Sequence, residues 1–119
     1  MNIQKISEIA FKHLPVFEDL NLRIKQTVCI TLAGKTNEPE PILLLGDNEA
    51  AVNQAQAITQ KMLESDPFES NCIVCLEGIS RNLVTDGVSI IIAVISHDPD
   101  ESNRAMNFWL DTFAKELSF

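Results

Sequence analysis

Apolar residues recur at Ile3, Ile6, Ile9, Ala10 and Leu14, with Gln4, Lys5, Glu8 and Lys12 between them. That spacing lines one stripe along a helix over residues 2–14. Pro15 lacks a backbone donor and disfavours helical geometry at Leu14, so the helix is expected to stop there. Leu22, Ile24, Gln26, Val28, Ile30 and Leu32 then alternate with Arg23, Lys25, Thr27, Cys29 and Thr31, which is the period of a half-buried strand. No Gly or Pro turn interrupts this stretch, which reads as one strand or as two broken near Gln26. Gly34, Pro39 and Pro41, with Glu38 and Glu40, mark a loop. A short apolar strand, Ile42-Leu43-Leu44-Leu45, closes at Gly46.

The second half opens on Asp47 or Asn48 as the cap of a helix whose stripe is Ala51, Ala55, Ile58 and Met62. Ser65-Asp66-Pro67 ends it. Residues 72–79 read as a strand, with continuation to Val84 left open. Asp86-Gly87 suits a two-residue hairpin turn, and residues 88–96 return as the most apolar strand. Asp98-Pro99-Asp100-Glu101 starts a last helix: Asp as cap, Pro in the first turn, Glu three residues on. Met106, Leu110, Phe113 and Leu117 form its face, with Phe108 and Trp109 beside it. The order is α-ββ(β)-α-ββ-α, a single α+β domain over residues 1–119 with a mainly antiparallel sheet and flanking helices.

Composition then narrows the function. A chain of 119 residues suits one domain. Its net charge of −8, with the cations scattered, argues against nucleic acid, because phosphate binding needs clustered Lys and Arg. The longest apolar run, residues 90–95, is far short of the ~20 residues that span a bilayer, so no membrane insertion is expected. Residues 1–8 show no secretory leader, and three cysteines cannot all pair, so a reducing cytoplasm is the expected location.

Candidate chemistry is sparse. Cys72 and Cys75 have C-x-x-C spacing, but on a strand residues three apart point to opposite faces, so they read as small apolar residues. His97 lies beside Asp98, Asp100 and Glu101, and helix capping accounts for those acids. Leu45-Gly46-Asp47-Asn48-Glu49 has one glycine, where a phosphate cradle needs several and a Lys. With two histidines, no tyrosine and no paired carboxylates outside caps and loops, no enzyme, metal or cofactor is expected.

The apolar surplus is more informative. Residues 88–96 are apolar on both faces, so a helix or a second chain must cover the face that would otherwise meet water. The middle helix is thin, with Ala50, Ala51, Ala55 and Ala57, and with the strand from Cys72 it forms a candidate dimer interface. Val16, Phe17, Leu20 and Leu22 make a second apolar cluster after the first helix. Leu20 and Leu22 read as core staples, with Phe17 left open between staple and groove.

In element order, size and acidity the chain resembles the class I type III secretion chaperones. The resemblance is carried by the first amphipathic helix (Ile3 to Leu14), the first antiparallel strands, the middle helix ending near Leu63-Glu64-Ser65, and the hairpin into Ile92-Ala93-Val94-Ile95-Ser96. The closing segment from Asn107-Phe108-Trp109-Leu110 to Leu117 completes it. That family places three strands before its middle helix, whereas two are clear here. The resemblance implies a cytoplasmic homodimer whose contact would use Ala51, Ala55, Ile58 and Met62 with Cys72, Val74 and Leu76. It also implies a secreted effector segment held extended by strand addition and apolar grooves, with Val16, Phe17, Leu20 and Ile24 as groove residues. The alternative is a toxin-neutralising immunity protein, whose acids from Glu38 and Glu40 to Asp47 and Glu49 would cover a basic toxin surface.

Overall fold

The computed structural model describes residues 3–20, 22, 25–36, 38–69, 71–75, 78–85 and 87–117. Its two most buried strands lie side by side at the centre. β1 (Thr27–Gly34) pairs antiparallel with β5 (Val88–Ile95), in continuous register from Thr27 opposite Ile95 to Gly34 opposite Val88. Strand alternation sends Val28, Ile30, Leu32, Ile90, Ile92 and Val94 to one face, and Cys29, Ala33, Ile91, Ala93 and Ile95 to the other. β2 (Glu40–Leu45) pairs with the outer side of β1. β4 (Gly78–Thr85) pairs with β5, and β3 (Cys72–Cys75) with β4. The sheet is antiparallel throughout, in the order β2-β1-β5-β4-β3.

Helices cover both faces. α1 (Ile3–Glu18) and α3 (Pro99–Glu116) pack on the face of Val28, Ile30 and Ile92, burying Ile6, Ile9, Ala10, Phe17, Met106, Trp109 and Phe113. α2 (Glu49–Glu64) lies on the opposite face, with Ala55, Ile58 and Met62 against Cys29, Ile91, Ala93 and Ile95. The two-faced apolar strand is therefore covered within the chain, and the small alanines let α2 sit close to the sheet.

The α+β class and antiparallel sheet agree with the sequence reading, but the strands divide differently around the middle helix. Two described strands precede α2 and three follow it. Among the described residues the alternation from residue 22 yields one strand, starting at Thr27, and residues 72–84 divide into β3 and β4. Gly78 opens β4 where a Cβ would run into the Ile95 side chain and crowd the Val94 carbonyl. Asn82 fixes the connection into β3. Its Nδ2 donates to the Pro67 and Glu69 carbonyls at 2.9 and 2.8 Å, and its Oδ1 accepts from the Asn71 N–H at 2.8 Å. Asp86 of the expected β4–β5 turn lies outside the described residues.

The two helical layers are offset. α2 packs against β1, β3, β4 and β5, whereas α1 lies against β2 and α3 against β4 and β5. Each edge strand is thus covered on one face only. Leu44 stands opposite Cys29 on the α2 side of β2 and is 48% exposed. Val74 stands opposite Ile79 on the α3 side of β3 and is 72% exposed.

Helix starts behave as expected. Asn48 caps α2 by accepting the Ala51 N–H, and the Asp98 carboxylate accepts the Asp100 and Glu101 N–H groups. Glu101 does more than complement the dipole: it is buried, and Gln26 Nε2 donates to its Oε2 at 3.3 Å. No helix among the described residues is long and apolar enough to cross a membrane.

The end of α1 corrects the sequence reading, because the helix runs through Pro15 to Glu18. A proline in a helix interior costs roughly 3 kcal/mol. The extra turn places Phe17 on the buried stripe, 4% exposed, with its ring centroid 5.4 Å from Phe108 and 5.3 Å from Trp109. Burying a Phe contributes about 1.5–3 kcal/mol, and each aromatic pair about 0.5–1.5 more, which offsets the proline. Pro15 itself faces solvent, where water can satisfy the carbonyl it leaves unbonded. Phe17→Ala is expected to lower unfolding free energy by about 3–5 kcal/mol, and Pro15→Ala to raise it by about 1 kcal/mol or more. Urea denaturation of the two variants checks both signs.

Candidate functional site

The turn that follows α1 is tight. The Asp19 N–H donates to the Pro15 carbonyl at 3.1 Å, Leu20 N–H to Phe17 at 3.1 Å, and Leu22 N–H to Leu20 at 2.7 Å. These bonds fold Leu20 and Leu22 back beside Phe17, packed on the core that carries it. Antiparallel pairing of Val28 with Leu45 then brings the end of β2 alongside the start of β1. Gly46 leaves β2 at φ +137°, and a Cβ there would strike the Thr27 side chain, so glycine is required at this exit. The next residue, Asp47, turns towards Lys25, with Oδ2 3.2 Å from Nζ.

Together these segments enclose a pocket of about 430 Å³, lined by Phe17, Leu20, Leu22 and Leu45 with Glu18, Lys25, Gln26, Gly46 and Asp47. Its volume lies in the ~300–1,000 Å³ range of sites that enclose a bound group. The leucines and the Phe17 ring supply apolar surface, and the charged residues are exposed at the margin. The hydrogen bond and charge of Lys25 hold the Asp47 carboxyl below its ordinary pKa. Asp47 therefore serves this ion pair, while Asn48 caps α2.

Of the expected groove residues, Phe17 and Leu20 line this pocket. Val16 stands outside the lining, 54% exposed, and Ile24 lies outside the described residues. Leu22 proves to be both staple and lining. Leu45 and Asp47 carry no groove signal in the sequence, since only the β1–β2 register places them next to residues twenty or more positions earlier in the chain.

The expected dimer residues separate. Ala55, Ile58 and Met62 are buried against the chain's own sheet, and Ala51 is half-buried beside them. Their stripe is the inner face of α2, so these side chains are not free for a second copy, contrary to the expectation. Cys72 and Val74 are exposed on β3, and Leu76 lies outside the described residues. Cys75 and Ile73 point the other way, into the α2 layer. Cys29, Cys72 and Cys75 are free thiols. Among the described residues no group of three His, Cys, Asp or Glu side chains converges as a metal site.

Beyond the pocket, α1 is clasped to α3 by charge. Glu116 Oε1 lies 2.9 Å from His13 Nε2 and 3.2 Å from Lys12 Nζ. The hydrogen bonds of His13 and then Lys12 lower the Glu116 pKa. No family model, curated protein or solved structure matches this chain.

A lowered carboxyl pKa adds stability above the unfolded value, near 4.3, and that gain is lost as pH falls through the folded value. Glu116→Gln should therefore melt below the wild type at neutral pH, with the two melting temperatures converging as pH falls from about 5 towards 3. Thermal melts across that range test it, and a constant gap would refute it.

Proposed function

We propose that this chain is a non-catalytic protein-binding module that holds an apolar side chain of a partner's extended segment in the pocket at the end of α1. The observation that carries this reading is the convergence of Phe17, Leu20, Leu22 and Leu45 around about 430 Å³ of open space. Apolar anchors entering a preformed pocket supply affinity without chemistry, which offsets the entropy lost when a flexible segment is ordered. A secreted effector is the partner class that the chaperone resemblance implies. The strands are shared differently around α2 than in that family, so the reading rests on the pocket.

The proposal includes self-association, through β3 rather than through the inner face of α2. Two edges could pair with another chain, and they differ. β2 carries Pro41, Glu40 and a register shift between Ile30 and Thr31 of its partner, all of which discourage added strands. β3 reads Cys72-Ile73-Val74-Cys75, without charge or proline, and leaves Val74 exposed. An antiparallel β3–β3 pairing of two copies would extend the sheet and cover that residue.

No observation favours the toxin-neutralising alternative. Glu38 and Glu40 lie at one end of β2, and Asp47 and Glu49 beyond the other. A strand of this length separates them by roughly 20 Å. They form no single acidic face.

Two measurements test the reading. In affinity capture from the native cell, a partner retained by wild type and by Asn53→Asp should be lost with Leu20→Asp, whose fold is checked by circular dichroism. Undiminished capture by a folded Leu20→Asp would place binding elsewhere. In sedimentation at micromolar concentration the wild type should be a dimer and Val74→Lys a monomer. A monomeric wild type would end the β3 proposal.

A further inference from the structure

Among the described residues, carboxylates outnumber cations around the pocket. α1 ends with Glu18 in its last turn, and that turn holds no basic residue. Asp19 follows immediately, and both acids are exposed. The C-terminal end of a helix already carries partial negative charge, so carboxylates there are unfavourable until a cation joins them. Asp47 joins Glu18 in the pocket lining, while Asp19 adjoins Glu18 in the chain without lining the pocket. Among the described lining residues Lys25 is the one cation, and it is engaged with Asp47. Among the described residues neither Glu18 nor Asp19 has an ion-pair partner. Both members of the Lys25–Asp47 pair are largely exposed, so the pair is weak and open to exchange.

We infer that the pocket takes an extended basic peptide, a bulky apolar side chain entering over Phe17 beside a Lys or Arg that meets the carboxylates of Glu18, Asp19 and Asp47. This deepens the reading above and rests on it. The apolar chain and the cation act together: filling the pocket removes water from its mouth, and attraction between opposite charges strengthens as water leaves. A purely aliphatic ligand would leave the carboxylates of Glu18 and Asp19 unanswered. A second copy of this chain, at net charge −8, would bring like charge to them.

The test is selection of a displayed random-peptide library on the full chain, with the folded Leu20→Asp variant as counter-target. Selected peptides are then measured by fluorescence anisotropy. Enrichment should give Leu, Ile, Phe or Met within two residues of Lys or Arg. Replacing that cation by Glu should weaken binding about tenfold or more, and so should Asp47→Lys, which alters an exposed side chain and leaves the fold intact. Binding should also fall as salt rises. Pocket-dependent peptides that are neutral or acidic, or that bind Asp47→Lys equally well, would overturn the basic-peptide inference while leaving apolar anchoring standing. Peptides that bind Leu20→Asp as tightly as wild type, or a library with no pocket-dependent binder, would overturn both.

Discussion

The pairing of β1 with β5 is the constraint on which the rest depends. Eight residues of each strand are in register, and the pair is buried on both faces. A sheet buried on both faces needs a helical layer on each, and this requirement recruits α1 and α3 to one side and α2 to the other. β2 and β4 then attach to either flank. The offset between the layers follows, because two helices and one helix cannot cover the same strands. Exposed Leu44 and Val74 are the remainders of that mismatch, at opposite edges and on opposite faces.

Much of this was legible in local pattern. The 3.6-residue stripes of α1 and α3, the caps at Asn48 and Asp98, and the two-faced apolar run of β5 all follow from residue spacing. The residue pattern of β5 alone requires cover on both faces, and the tertiary arrangement supplies it with α2 on one and α1 and α3 on the other. Two readings failed for physical reasons. Pro15 is an authentic breaker by propensity, overridden because one further turn buries Phe17 among Phe108 and Trp109. Residues 72–84 read as a continuing strand because apolar residues flank Glu77-Gly78 on both sides, and the contact that distinguishes Gly78 comes from Ile95.

The pocket was half legible. Phe17, Leu20 and Leu22 form a local cluster that sequence spacing can find. Leu45, Gly46 and Asp47 arrive through the β1–β2 register, and Asp47 looks in sequence like one more capping acid. Its ion pair with Lys25 gives the −8 balance a local meaning, since some of the acids serve helix starts while others border an apolar opening. The alanines of α2 show the converse, a pattern read as a contact between chains that is satisfied within one.

The central strand pair also has a consequence in time. β1 and β5 stand about sixty residues apart in the chain, so closing their contact carries a substantial loop entropy. On a ribosome adding about 5–20 residues per second, β1 waits roughly 3–12 s for its second neighbour. During that interval α1, β1, β2 and α2 are already made, and Val28, Ile30 and Leu32 border an unpaired strand edge. The last strand to be synthesised is the one that closes the sheet, so the half-made chain is the form most in need of protection from aggregation.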